Sequence, residues 1–272
     1  MLTYFKRYEV LACVVSVAVP LVVVNAWSLV SGQAMGFTAA GAAVSVLLLF
    51  GGLFFFTRLF SGMAQSKAES LVSLYNDGCD AKAFVDDGKK IAASASAPLN
   101  ELSAWYLSFY ANALIDLGQR EEAAEIGLLL QESVQDAPDD ATRLALYADL
   151  VPLVGALFGP KKVSELANEA LALRVDQADE IAAQRRSYLE WARAVADAQL
   201  GNDTDSLLAN YRIIWGNAEQ CMRLRVEYAA REGKLHEALG HAEAARGCMR
   251  FAADNGRGLP AAIEARAFFG EE

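Results

Sequence analysis

The stretch ELSAWYLSFYANALIDLGQREEA, Glu101 to Ala123, decides the fold. Leu107, Tyr110, Ala111 and Leu114 recur at three- and four-residue spacing, so they fall on one face of a helix. Gly118 breaks the pattern. A second run then opens with Glu121 and Glu122, acids that favour the positive end of a helix dipole. The stretch reads as helix, tight turn, helix. Alanine-rich runs of the same period continue from Ser61 onward and strand signals are nearly absent, so roughly ten helices and an all-α class are expected.

The turn recurs. Gly78, Gly118, Gly159, Gly201 and Gly233 are each followed five residues later by Ala83, Ala123, Ser164, Ser206 and Ala238. A glycine ends one helix in the left-handed conformation, and a small residue lets the next helix pack closely. These glycines are 40, 41, 42 and 32 residues apart, a period in the range of helical solenoids, in which each helix pair buries its remaining apolar face on its neighbour.

At Tyr110-Ala111…Leu114…Gly118…Ala123 and Val226…Ala229…Gly233…Ala238…Ala242…Ala245 the chain resembles tetratricopeptide (TPR-like) repeats. The resemblance implies an α-solenoid of about five degenerate helix pairs over residues 67–255, with a capping helix in 256–272. A helical domain of other topology is the alternative. In the fourth pair Arg193 and Asp197 would fall on core positions, and Tyr188, Trp191 and Val195 make the better apolar stripe. The resemblance further implies a groove lined by first-helix residues: Trp105, Ser108 and Asn112 in the second unit, Arg223 and Glu227 in the fifth. Trp105 reads equally well as a core aromatic.

The N-terminal part differs in kind. Between Val10 and Thr57 there is no charged residue and no histidine. Residues 10–30 and 37–57 each have the length to span a hydrocarbon core of roughly 30 Å, and 31–36 (SGQAMG) suits a turn between them. A two-helix transmembrane hairpin is expected over 10–57, after a short N-terminus (1–9) and before a linker (58–66). Lys6, Arg7, Arg58 and Lys67 flank it and the turn has no positive charge, so both ends should be cytoplasmic at the cell membrane. Gly36, Ala40, Gly41, Ala43, Gly51 and Gly52 in the second span allow close helix approach, within the hairpin or between copies of the chain.

Two of the 24 basic and one of the 34 acidic residues precede residue 10, leaving the part beyond residue 57 at a formal charge of −11. Such a surface does not suit nucleic acid. Cys13, Cys79, Cys221 and Cys248 form no C-x-x-C pair and read as reduced thiols. No nucleophile elbow, phosphate loop or dinucleotide fingerprint is present, so neither an enzyme nor a cofactor is expected.

EGKLHEALGH, Glu232 to His241, resembles the H-E-x-x-H zinc signature with one residue too many. On one regular helix, His236 and His241 would diverge by roughly 140° and could not share an ion. The reading is a pair of surface histidines and no metal, the weaker alternative being His241 and Cys248 with Cys221. The chain is thus expected to be a membrane-anchored scaffold for a protein or peptide partner, the alternative being an accessory subunit held in a larger complex by its hairpin.

Overall fold

The computed structural model describes the backbone of residues 4–31, 39–176 and 178–271. Within the first two helices it describes the side chains of residues 7–8, 10–20, 22–23, 50–52 and 54 onward. All regular structure among the described residues is helical. The elements are α1 (Tyr4–Ser31), α2 (Ala39–Asn76), α3 (Ala81–Ala92), α4 (Glu101–Asp116), α5 (Arg120–Gln135), α6 (Asp140–Phe158), α7 (Pro160–Leu171), α8 (Glu180–Gly201), α9 (Thr204–Trp215), α10 (Met222–Ala238), α11 (Ala242–Asn255) and α12 (Pro260–Phe268). The chain divides into two compact units, Met1–Glu69 and Ser70–Glu272.

In the first unit α1 meets α2 where small residues permit it. A Cβ on Gly52 would lie 3.6 Å from the Ser16 carbonyl oxygen and 3.9 Å from Pro20 Cγ. Pro20 has no N–H, so the Ser16 carbonyl lacks its usual partner four residues on. Gly52 leaves that carbonyl room, whereas nothing stands against Gly51. The expected turn 31–36 and the small residues Gly36, Ala40, Gly41 and Ala43 lie outside the residues or side chains described. Residues 58–66, expected as a linker, are helical and continue α2 without a break. One helix among the described residues is long and apolar enough to cross a membrane, and it is α6 rather than either expected span. Its Leu144, Leu146, Leu150 and Leu153 are buried among neighbouring helices of the second unit, the placement of a core helix. Within α1 the apolar stretch described is the shorter Val10–Pro20.

In the second unit each helix from α3 to α12 packs on the next. Three pairs of alternate helices also pack, α4 on α6, α6 on α8, and α10 on α12. Aspartate and asparagine begin the helices: Asp80, Asn100, Asp139, Asp179 and Asp203 each accept a hydrogen bond from a first-turn N–H. The helix ends partly follow the sequence reading. Gly118 (φ +79°) and Gly159 (φ +82°) adopt the left-handed conformation. At the first turn Cys79 takes it rather than Gly78, and at the fourth Asn202 takes it just after Gly201. At the fifth turn the expectation was wrong. Gly233 lies inside α10, where a Cβ would come within 3.0 Å of Met249 Cγ on α11, and Gly240 (φ +76°) makes the turn.

The second unit also closes on itself. The Arg223 guanidinium on α10 stacks over the ring of Tyr75, 4.8 Å from its centroid, and donates to Asn76 Oδ1 at 3.3 Å. Tyr75 donates in turn to Asp116 Oδ2 at 2.7 Å, at the end of α4. Residues 147 positions apart therefore meet.

Candidate binding cavity

α4, α6, α8 and α10 turn their inner faces into one cavity of about 1000 Å³. α4 contributes Trp105, Ser108 and Asn112; α6 contributes Asp149 and Pro152. α8 contributes Tyr188 and Trp191, and α10 contributes Arg223, Glu227, Tyr228 and Arg231. All five residues expected from the repeat pattern line this one space. Tyr188 and Trp191 of the fourth-pair stripe line it too, while Arg193 and Asp197 bond across to α7 through Asn168 and Ser164.

The five do not stand alike. Trp105 is partly buried and packs edge-on to Phe109, ring centroids 5.4 Å apart. Ser108 is buried and donates to the Asp149 carbonyl at 2.5 Å, and Asn112 donates to the Ser108 carbonyl at 2.8 Å. Arg223 is held by Asn76, Tyr75 and Glu227, so it braces the wall and is not a free anchor.

Aromatic rings make the far wall. Trp191 meets Tyr188 at 6.0 Å and Tyr228 at 5.5 Å, and Tyr228 meets Tyr211 at 5.5 Å. These rings join α8 to α10. The Trp191 indole N–H is buried and has no hydrogen-bond acceptor among the described residues. Burial raises the Tyr188 hydroxyl far above its ordinary range and the Tyr228 hydroxyl to about 12, so both stay neutral donors.

The charges in the wall are paired unevenly. Glu227 accepts from Arg223 Nη1 at 3.2 Å and from Arg231. Burial opposes its charge, but Arg231 and Arg223 hold its carboxyl below the ordinary value. Burial pushes the Asp149 carboxyl up to about 7, against the pull of Arg185. Near neutral pH the two guanidiniums therefore outnumber the one fully charged carboxylate, in a part of the chain that is otherwise acidic. Sequence reasoning missed Asp149, Tyr228 and Arg231. Asp149 did carry a signal, being the one charged residue between Leu144 and Phe158.

The histidines need a correction. α10 stops at Ala238 and α11 starts at Ala242, so His236 and His241 are not on one helix. The Gly240 turn folds the second back on the first, and their Nδ1 atoms approach to 3.3 Å. His236 Nε2, on the other side of its ring, lies 3.4 Å from Glu232 Oε1. Glu232 is 1% exposed and accepts from Arg212 Nε at 2.9 Å and from the Trp215 indole N–H. Cys248 of α11 faces the same carboxylate, and burial with the Glu232 charge pushes its thiol up to about 11. The ligand atoms of Glu232, His236 and Cys248 all lie within 4.8 Å of one another; Cys221 does not join them. All four cysteines are free thiols.

Compared with known proteins, the chain matches no family model, no curated protein and no solved structure.

Proposed function

We propose that the chain is a membrane-anchored helical-repeat scaffold that binds a protein or peptide partner at the cytoplasmic membrane face. One observation carries the binding half. Side chains of α4, α6, α8 and α10, joined by some of α7 and α9, line a single concave space walled by aromatic rings, with an Arg–Glu–Arg cluster along one side. Aromatic and arginine side chains are favoured anchors for a partner, and 1000 Å³ holds a short segment rather than a folded domain. The TPR-like reading is supported by the alternate-helix packing. It is supported too by turns at Gly78, Gly118, Gly159, Gly201 and Gly240, which lie 40, 41, 42 and 39 residues apart.

The anchoring half rests on the uncharged run Val10–Thr57 and on what its helices expose. Val14, Val17, Val19, Val22 and Val23 of α1 and Phe50, Phe54 and Phe55 of α2 are each at least 41% exposed. So large an apolar surface is unfavourable in water and favourable in lipid. A transmembrane hairpin over 10–57 accounts for it, and Gly52 serves contact within the hairpin rather than between copies.

The test places a photo-reactive side chain at Asn112, on the cavity wall, or at Leu128, an exposed residue of α5. A discrete polypeptide adduct from position 112 alone, lost on Trp105→Ala with helicity intact, is the expected result. Equal adducts from both positions would remove the cavity from the account. A second reading, an enzyme built from dispersed residues, is favoured by one observation: a deep cavity holding an acid with a pKa near 7 suits proton transfer. An adduct to a small molecule alone would select that reading.

A further inference from the structure

The second site lies on α10 and α11, at Glu232, His236 and Cys248. Glu232 and His236 are four residues apart on a regular helix, so they share a face, as two ligands of one ion must. Cys248 reaches that face from α11. The three donor atoms lie within 4.8 Å of one another, with Glu232 Oε1 and His236 Nε2 3.4 Å apart. A four-coordinate zinc, with bonds of about 2.0–2.3 Å, holds its ligand atoms roughly 3.3–3.8 Å apart, so small side-chain shifts close the site. Two of the three residues are buried, and His236 is 13% exposed, which leaves an entry path.

The surroundings agree with this arrangement. His236 Nδ1 is hydrogen-bonded to His241 Nδ1 at 3.3 Å. With the proton on His236 Nδ1, the Nε2 lone pair faces Glu232 and Cys248. A metal-bound imidazole commonly fixes its tautomer in this way, through a partner on its other nitrogen. Arg212 supplies the charge that balances Glu232; it stacks over Trp215, and its side chain is 57% exposed, so solvent can take the guanidinium when an ion replaces it. A divalent ion with a thiolate, a carboxylate and a neutral imidazole is electrically balanced without it.

We propose that Glu232, His236 and Cys248 are protein ligands of a divalent transition metal of the zinc class, with His241 orienting His236 and the remaining coordination position open to water. A sulfur, nitrogen and oxygen set of this kind suits zinc rather than magnesium or calcium.

The test is titration of Co²⁺, a spectroscopic stand-in for zinc, into the full chain in detergent. One equivalent should bring up thiolate-to-cobalt absorption. Cys248→Ser should abolish the band, and His236→Gln should weaken binding at least about tenfold, as should His241→Ala through the lost orientation. Arg212→Gln should tighten binding, an effect that a purely structural cluster does not produce. In mild denaturant, which opens the buried Cys248 to reagent, Zn²⁺ should also protect Cys248 of the unaltered chain from alkylation while Cys221 still reacts, a readout that needs no variant. Absence of the band and of the protection, or a band that survives Cys248→Ser, overturns the proposal.

Discussion

Asp149 faces a cavity that water can enter, yet protein atoms crowd it enough to favour its neutral form. Its pKa is raised on folding, so the fold binds its proton more tightly than the unfolded chain does. That contribution to stability is whole below pH about 4 and is lost as the pH rises through about 7. Chemical denaturation between pH 4 and 8 should show stability falling, and Asp149→Asn should flatten the fall by roughly 2 kcal/mol, a figure discounted for the water at the cavity wall. An unchanged slope in Asp149→Asn would mean that the carboxyl is solvated. The residue was visible in the sequence as the one charge between Leu144 and Phe158, but only the convergence of the helices shows what it faces.

At the scale of elements, helix existence and type were legible because the three-and-four periodicity follows from burial on one side. The structure adds the cap residues, such as Asp139, whose carboxyl is held below its ordinary value by the Thr142 N–H. The fifth turn was not legible. Gly233 and Gly240 look alike in a sequence, but one makes room for Met249 across the helix pair and the other supplies a positive φ. Misplacing that turn also misplaced His241, since three residues of loop, Leu239 to His241, replace a stretch of helix.

Arg223 belongs to this scale as well. It joins α10 to the end of α2, and it was read as a groove anchor because its tie to Asn76 spans 147 residues. Arg223→Ala should cost about 3–5 kcal/mol, since it strips one partner from the buried Glu227 and opens the closure. Tyr75→Phe, which removes only the bond to Asp116, should cost nearer 1 kcal/mol. Urea denaturation midpoints measure both. A cost below that of Tyr75→Phe for Arg223→Ala would mean that the closure contributes little.

The whole molecule combines an acidic helical stack with a pair of helices whose residues 10–57 carry no charge; composition places the break at Arg58, whereas the compact units divide at Glu69, because α2 runs on as one helix. Closure of the stack was not legible, because curvature accumulates from small rotations between successive pairs. The cavity follows from that curvature. All five residues expected from the repeat pattern border the space, since first-helix positions on one face point inward whatever the curvature, but its extent and its aromatic far wall were not foreseeable.

The account's central claim is that a hairpin over 10–57 holds this cavity on the cytoplasmic side. The direct measurement is a topology assay with reporters fused after Glu272 and inserted within residues 31–36. The expected result is fluorescence of a cytoplasmic reporter at the C-terminus and alkaline phosphatase activity from the insertion at 31–36. Phosphatase activity at the C-terminus, or a protein released from membranes by alkaline carbonate, would contradict it.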